Sequence, residues 1–152
     1  MSQLALVSGA TGGIGKCVTE RLWSEGYSVL ALGHTITKVA ALNDFFLEQP
    51  YAGQYGFAFA MDLAHETDLW RIHSLMQSTL KDTPLSLLVV CHGAAPAPGP
   101  ALYAGNAMRE VYGTDVLGAY NVCALAGRYM IEQRQGGIVL LSSLHSKMTY
   151  PA

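Results

Sequence analysis

Short apolar runs alternate along the chain with longer stretches in which apolar residues recur every three or four positions. An unbroken apolar run is typical of a strand buried on both faces, whereas the longer spacing is typical of an amphipathic helix. Buried strands are predicted over residues 4–8 and 28–32, and further strands over residues 54–61, 85–91 and 138–142. Helices are predicted over residues 14–25, 37–48, 64–81 and about 107–133.

The alternation of strands and helices predicts the architecture. It indicates right-handed strand–helix–strand units, a parallel sheet and helices on both of its faces, which is a doubly wound, three-layer α/β/α fold. Residues 1–152 are interpreted as one domain. Ligands of such sheets bind outside the carboxyl ends of the strands. We therefore expect functional residues on the loops that follow the first, fourth and fifth strands.

The predicted helices carry local expectations of their own. Thr37 is placed to cap the second helix, because its hydroxyl can accept a backbone hydrogen bond. Trp23 and Trp70 lie on helical stretches and are expected to cover the sheet. Gly113 and Gly118 lower the helical propensity of the long fourth helix, but its apolar spacing still predicts one helix.

Composition narrows the classes of function. Hydrophobic residues make up 51% of the chain and charged residues 13%, which suits a buried central sheet and argues against disorder. The formal net charge is −2 and no run of Lys or Arg occurs, so a nucleic-acid partner is not expected. No stretch approaches the ~20 apolar residues that span a bilayer, so no membrane partner is expected either.

The cysteines and the N-terminus bear on location. Cys17, Cys91 and Cys123 are odd in number and far apart, so they are interpreted as free thiols in a reducing cytoplasm. Their spacing does not predict a metal site. The first ten residues lack the basic start and the cleavage site of a signal peptide. A cytoplasmic location is therefore expected.

A glycine-rich loop, SGATGGIG at residues 8–15, joins the first strand to the first helix. Glycine lets the backbone turn tightly and approach a ligand closely. The start of the helix offers unpaired N–H groups and the positive end of the helix dipole, which together suit a pyrophosphate. The loop is therefore predicted to bind a dinucleotide through Gly9, Thr11, Gly12, Gly13, Ile14 and Gly15.

The spacing of this loop resembles the short-chain dehydrogenase/reductase family. Gly9, Gly13 and Gly15 match its TGxxxGxG motif, with Ser8 in place of Thr. The spacing also fits TGxxGxxG of the extended, epimerase-like branch when Gly12 replaces Gly13 as the middle glycine. The loop alone does not separate the two branches. Residues 130–137, before the fifth strand, resemble the compact dehydrogenase branch.

The resemblance covers the whole chain and implies a function. It implies a Rossmann-type NAD(P)-binding domain in an oxidoreductase that transfers hydride between NAD(P)(H) and a carbonyl or alcohol substrate. The substrate is a small molecule, and a full-length form is expected to be able to form a homo-oligomer. Two alternatives stay open: a non-catalytic nucleotide-binding remnant or sensor, and an extended-branch nucleotide-sugar epimerase or dehydratase.

Further cofactor-binding residues follow from the resemblance. Asp62, with Leu63 beside it, follows the third strand where the family holds the adenine ring with an Asp. Residues 90–93, at the end of the fourth strand, stand where the family usually shows NNAG, and both Asn positions are replaced. The resemblance implies that Val90, His92 and Gly93 of this segment bind the cofactor. His92 either reaches the mouth of the active site or is a simple packed histidine.

The resemblance also implies catalytic residues. Asp115 stands where the family has an Asn that helps to hold a water in its proton relay. A carboxylate accepts hydrogen bonds but, when ionised, cannot donate as an amide does. Asp115 therefore either holds the water or marks an altered relay. Counting along the motif favours Ser143 over Ser142 as the serine that orients the substrate carbonyl.

The proton donor of the family, a Tyr with a Lys four residues later, is absent. Seven of the eight tyrosines are followed at that distance by another residue, and Tyr150 stands too near Ala152 for the pair to fit. The sequence is therefore expected to be truncated, with the C-terminal strands and the catalytic pair missing. In this form it is expected to bind a nucleotide at best.

The end of the second strand bears on the choice of cofactor. In Rossmann folds that prefer NAD, an acidic residue about 20 positions after the loop binds the ribose 2′-OH. No acid occurs over residues 29–38, and Gly33 is followed by His34, with Lys38 nearby. The basic residue that NADP-preferring members often carry in the glycine loop is replaced by Gly12. NADP is favoured, and NAD is the alternative.

Overall fold

A five-stranded parallel sheet lies at the centre of the molecule. The computed structural model describes residues 3–79, 83–94 and 105–143. The strands are β1 (Gln3–Ser8), β2 (Tyr27–Gly33), β3 (Gly56–Ala60), β4 (Leu85–Val90) and β5 (Gly137–Leu140). Their order in the sheet is β3-β2-β1-β4-β5, so the strand order reverses between β1 and β4. In such sheets this reversal marks the crevice in which ligands bind.

Helices cover both faces of the sheet. They are α1 (Gly13–Ser24), α2 (Ile36–Glu48), α3 (Glu66–Thr79), α4 (Gly105–Val111), a π-helical segment (Tyr112–Gly118) and α5 (Ala119–Gln133). One buried cluster joins the sheet to α3 and α5, and a second joins it to α1 and α2. The predicted three-layer Rossmann-type fold is therefore confirmed.

The central strands follow from their apolar runs. Leu4, Ala5, Leu6 and Val7 in β1 are fully buried, because helices pack on both faces of the strand. β5 differs, since all four of its residues are exposed. The core is therefore concentrated around β1, β2 and β4, whose carboxyl ends carry two of the three loops predicted to be functional.

Three local expectations were wrong. The long fourth helix is not continuous α-helix, because the π-helical segment Tyr112–Gly118 separates α4 from α5. The N-cap of α2 is Thr35 rather than Thr37, and its side chain makes no capping hydrogen bond. Trp70 does not cover the sheet, since 62% of its surface is exposed. In each case the sequence pattern allowed the predicted arrangement, and the structure has another.

The outer edge of β3 is closed by a side chain. Asn43 in α2 donates through Nδ2 to the carbonyl oxygen of Ala58 at 2.9 Å, and its Oδ1 accepts from the Ala58 N–H at 2.8 Å. The amide thus satisfies the two backbone groups that a neighbouring strand would bind. Exposed strand edges invite pairing with other chains, so Asn43 protects this edge.

We expect Asn43→Ala to lower the free energy of unfolding by about 1–3 kcal/mol, because both backbone groups of the buried Ala58 lose their partner. Urea denaturation followed by circular dichroism measures this change. Gln77→Ala is the control, since it removes an amide from an exposed position of α3. Equal stability of the two variants would show that Asn43 contributes nothing at the edge.

Candidate functional site

The glycine loop forms a tight turn directly after β1. Gly9 has a positive φ of 68°, a conformation that favours glycine. The Gly12 N–H donates to the Gly9 carbonyl at 3.0 Å, which closes the turn. The Ala10 N–H donates to the Leu32 carbonyl of β2 at 2.9 Å, which joins the loop to the neighbouring strand.

Two glycines of the loop allow backbones to meet. A Cβ on Gly15 would lie 2.0 Å from the carbonyl oxygen of Gly9, and a Cβ on Gly9 would lie 2.5 Å from the backbone nitrogen of His92. Both neighbours are backbone atoms, which cannot rotate away. These glycines hold the start of α1 against the turn, and the turn against the end of β4.

The two middle glycines border open space instead. A Cβ on Gly13 would meet nothing within 4 Å, and both Gly12 and Gly13 are exposed. α1 begins here without an acidic residue in its first turn and without a side-chain cap. Its first N–H groups have no intrahelical partner, and the positive end of the helix dipole is not neutralised locally. This surface fits the phosphates of a dinucleotide.

The end of β2 closes one side of the loop. A Cβ on Gly33 would lie 2.6 Å from Cγ2 of Thr11 and 3.0 Å from Cγ2 of Val39, so the absence of a side chain lets the loop pack there. His34 follows at an exposed position, and Lys38 is exposed in the first turn of α2. Two basic side chains are therefore open to solvent shortly after the end of β2.

His92 lies at the end of β4 and contacts two other elements. Its Nδ1 is 2.7 Å from Oγ of Ser8, and its Nε2 is 3.1 Å from the carbonyl oxygen of Thr114. Burial lowers the pKa of His92 below the usual 6.5, while the hydrogen bond to Thr114 and the charge of Asp115 oppose this shift. Burial therefore disfavours the charged form of His92, and both of its ring nitrogens have hydrogen-bond partners.

Asp115 lies beside the same strand end. Its Oδ1 accepts a hydrogen bond from the backbone N–H of Ala94 at 2.7 Å. Asp115 belongs to the π-helical segment, and such segments are frequent at functional sites. A Cβ on Gly93 would lie 3.7 Å from the same Asp115 oxygen, so the carboxylate also lies close to Gly93.

Asp62 and Leu63 lie after β3 and connect to α5. Oδ1 of Asp62 accepts from the Ala64 N–H at 3.0 Å, and Oδ2 lies 3.5 Å from Nε2 of His65. The Leu63 carbonyl accepts from Nδ2 of Asn121 at 2.9 Å. One oxygen of Asp62 therefore stabilises the turn that leads to Ala64, and the other lies close to the exposed His65.

Val90 and Ser143 lie on the side of the site towards β5. The side chain of Val90 is buried in the core, and its carbonyl accepts from the Leu141 N–H at 3.0 Å. Ser143 is exposed, three residues beyond the end of β5. The side chain of Val90 thus points into the core, and only its backbone is available at the end of β4.

The structure joins some predicted residues through others that the sequence did not single out. Gly118 leaves room for both His92 and Leu63, since a Cβ there would lie 3.2 Å from Nε2 of His92 and 3.3 Å from Cβ of Leu63. Ser8, Thr114 and Asn121 supply the hydrogen bonds described above. Of these residues, only Asn121 carried a signal in the sequence. It lies inside a helix, where asparagine is unfavourable unless its amide has a hydrogen-bond partner.

Two open grooves lie away from this site. One, of about 510 Å³, is lined by Phe59, Trp70, Arg71, Ser74, Leu75 and Ser78. The other, of about 410 Å³, lies between the end of α5 and β5. Neither contains a residue predicted to bind the cofactor. The candidate site is therefore recognised by its backbone geometry and its chemistry rather than by its volume.

Metal-binding clusters and membrane-spanning helices are both absent from the part of the chain that the structure describes. Within residues 3–79, 83–94 and 105–143, no cluster of three or more His, Cys, Asp or Glu side chains is arranged to hold a metal ion. Over the same ranges no helix has the length and the apolar character needed to cross a membrane.

A family model described as short chain dehydrogenase matches residues 3–152. The chain belongs to this family. It is 28% identical over 155 residues to the NADPH-dependent 1-acyldihydroxyacetone phosphate reductase of Saccharomyces cerevisiae, covering 98% of this chain and 48% of the relative. It is 28% identical over 157 residues to a serine 3-dehydrogenase of Agrobacterium fabrum, covering 99% and 57%. This short-chain dehydrogenase family member thus spans about half the length of these curated relatives.

Solved structures of the family share the fold. A short-chain type dehydrogenase/reductase from Mycobacterium ulcerans superimposes with a TM-score of 0.87 at 25% identity, covering 99% of this chain and 55% of that chain. An NAD⁺-bound xylitol dehydrogenase superimposes with a TM-score of 0.84 at 24% identity, covering 98% and 56%. At this low identity the second likeness concerns the fold alone.

Proposed function

We propose that this chain is the cofactor-binding part of an NAD(P)-dependent oxidoreductase that acts on a small carbonyl or alcohol substrate. One observation carries the proposal: the uncapped start of α1 opens onto the space beside Gly12 and Gly13, at the point where the strand order reverses. Membership of the short-chain dehydrogenase family supports the hydride-transfer chemistry.

The residues present fit a dinucleotide. Backbone N–H groups around Gly13 and Gly15 would bind its pyrophosphate, with Thr11 beside them. Gly93 and the backbone of Val90 would line its ribose. Asp62 would accept a hydrogen bond from the adenine amine. When bound, the nicotinamide supplies the hydride chemistry, while the protein supplies binding and orientation.

The catalytic roles belong to two side chains. Ser143 would donate a hydrogen bond to the substrate carbonyl and so orient it. Asp115 already holds the Ala94 N–H with one oxygen. Its second oxygen remains able to accept a hydrogen bond from a water, which supports a role in relaying a proton.

Fluorescence titration of the purified chain with NADPH and with NADH tests the proposal. We expect saturable binding, because the backbone cradle is formed within the described residues. An excess of the oxidised dinucleotide should displace the bound NADPH or NADH and reverse the fluorescence change. Free ribose should not. Folded protein that shows no saturable affinity for either nucleotide would overturn the proposed function.

We further propose that NADP is the preferred cofactor. Support comes from the exposed His34 and Lys38 shortly after β2, and from the absence of an acid over residues 29–38. A 2′-phosphate carries negative charge, which a nearby carboxylate would repel and basic side chains would attract. An acidic residue that could bind the ribose 2′-OH would instead favour NAD.

We expect His34→Asp to weaken NADPH binding by about tenfold or more relative to NADH, because it adds a carboxylate next to the proposed 2′-phosphate position. His34→Asn is the matched control, since it removes the imidazole without adding a charge. The ratio of the two dissociation constants is the measurement. If His34→Asp left the ratio of the NADPH and NADH dissociation constants unchanged, the 2′-phosphate would not lie next to His34.

Location and assembly are also proposals. Cys17, Cys91 and Cys123 are free thiols, and burial raises the pKa of the last two. Unpaired, weakly acidic thiols support a reducing cytoplasmic location. An exposed apolar stripe along the long helical region supports a homo-oligomer; its members are Met108, Tyr112, Val116 and Tyr120.

A further inference from the structure

His92 is the one half-buried imidazole that contacts both the glycine loop and the π-helical segment in the described residues. Its ring nitrogens lie 2.7 Å from Oγ of Ser8 and 3.1 Å from the Thr114 carbonyl oxygen. Ser8 ends β1 and is fully buried. His92 therefore lies between the strand that leads into the loop and the segment that carries Asp115.

The two contacts determine which nitrogen carries the proton. A carbonyl oxygen can only accept a hydrogen bond, so Nε2 of His92 must donate to Thr114. In the neutral ring Nδ1 then holds a lone pair and accepts from the Ser8 hydroxyl. Burial favours this neutral form by lowering the pKa of His92 below 6.5. The imidazole thus has one defined tautomer.

Two glycines leave room for His92, one beside its ring and one beside its backbone. A Cβ on Gly118 would lie 3.2 Å from Nε2 of His92, tighter than an ordinary contact, and a Cβ on Gly9 would lie 2.5 Å from its backbone nitrogen. The elements on either side of His92 thus approach it more closely than they could with larger residues. This close packing restricts both the side chain and its neighbours.

We propose that His92 is a positioning residue that couples the glycine loop to the π-helical segment and thereby holds Asp115 at the mouth of the site. Thr114, which His92 binds, directly precedes Asp115, and Asp115 in turn binds the Ala94 N–H at 2.7 Å. His92 touches neither substrate nor cofactor in this role. The predicted effect on nucleotide affinity rests on the proposed function, whereas the effect on Asp115 does not.

Nuclear magnetic resonance of the 152-residue chain tests the tautomer. Long-range ¹H–¹⁵N correlation should show His92 protonated at Nε2 alone near pH 7, with a titration midpoint below 6.5. The signal is assigned by its loss in His92→Leu. Ser8→Ala should move the Nδ1 resonance and leave the Nε2 proton in place. Protonation at Nδ1 in the neutral ring would overturn the proposal, because Nε2 could then no longer donate to the Thr114 carbonyl.

Hydrogen exchange at Ala94 tests the coupling. We expect His92→Leu to speed exchange of the Ala94 amide by about tenfold, because loss of the Thr114 contact loosens Asp115. His92→Gln keeps a side-chain N–H donor and should recover most of the protection. His73→Leu is the control, since His73 also bonds a neighbour, the Tyr129 hydroxyl at 2.7 Å, but lies far from the loop in α3.

Nucleotide titration of the same variants completes the test. His92→Leu should weaken binding by about tenfold, His92→Gln should recover much of it, and His73→Leu should leave it unchanged. If the parent chain binds no nucleotide, the proposed function fails, but the Ala94 exchange still tests His92. If the parent chain binds and His92→Leu alters neither affinity nor exchange, the positioning role is wrong.

Discussion

Replacing Gly15 by alanine is expected to lower the free energy of unfolding by about 3 kcal/mol and to weaken dinucleotide binding by about 100-fold or more. The new Cβ would lie 2.0 Å from the Gly9 carbonyl oxygen and 3.0 Å from Cα of Ala10. Because these are backbone atoms, the start of α1 must move away from the turn. Urea denaturation and NADPH titration measure the two effects.

Gly13→Ala provides the matched control in the same helix turn. Its Cβ would meet nothing within 4 Å, so stability should stay within about 1 kcal/mol of the parent chain or rise, since alanine favours helices over glycine. The added methyl group would nevertheless enter the space where the phosphates are proposed to lie, and binding should fall. If Gly15→Ala were as stable as Gly13→Ala, the close backbone approach would be wrong.

Trp23→Ala is expected to lower the free energy of unfolding by about 3–5 kcal/mol. Trp23 is 2% exposed and lies edge-to-face with Phe46 and Tyr51, with ring centroids 5.0 and 5.7 Å away. Its Nε1–H also donates to the Gln49 carbonyl at 2.9 Å. The truncation therefore leaves a cavity and an unpaired acceptor under α1. Thermal and urea denaturation both measure the loss.

Trp70→Ala is the control for this change. Trp70 is 62% exposed, and its ring meets His73 edge-on at 5.8 Å. We expect its removal to cost no more than about 1 kcal/mol. Similar losses for the two tryptophans would contradict the assignment of Trp23 to the core and Trp70 to the surface.

The contrast between the tryptophans shows where sequence reasoning ends. Both lie on helical stretches with similar apolar spacing, and both were expected to cover the sheet. The spacing identifies a helix with an apolar face, but not which neighbour meets each side chain. Trp23 is buried because α1 and α2 both pack on one face of the sheet, and Trp70 lies on the outer side of α3.

The site shows the same division. The turn of the glycine loop could be predicted because it depends on local backbone properties, which the residues from Gly9 to Gly15 express directly. The partners of His92 were not recognised, since Ser8 is 84 residues away in the chain and Thr114 is 22 residues away. Likewise, the π-helical segment approaches Leu63 after β3 and His92 after β4 through Gly118 and Thr114, and no local pattern encodes these contacts.

The sequence by itself determined the parallel α/β architecture, the turn at the start of α1 and the identity of most candidate ligand-binding residues. These features follow from apolar periodicity and from the conformational freedom of glycine, which are properties of short segments. Only the tertiary structure decided that His92 joins two elements, that Asn43 closes the β3 edge and that Asp115 binds Ala94. These contacts join residues that are distant in the chain, and they form because the folded sheet brings the ends of its strands together.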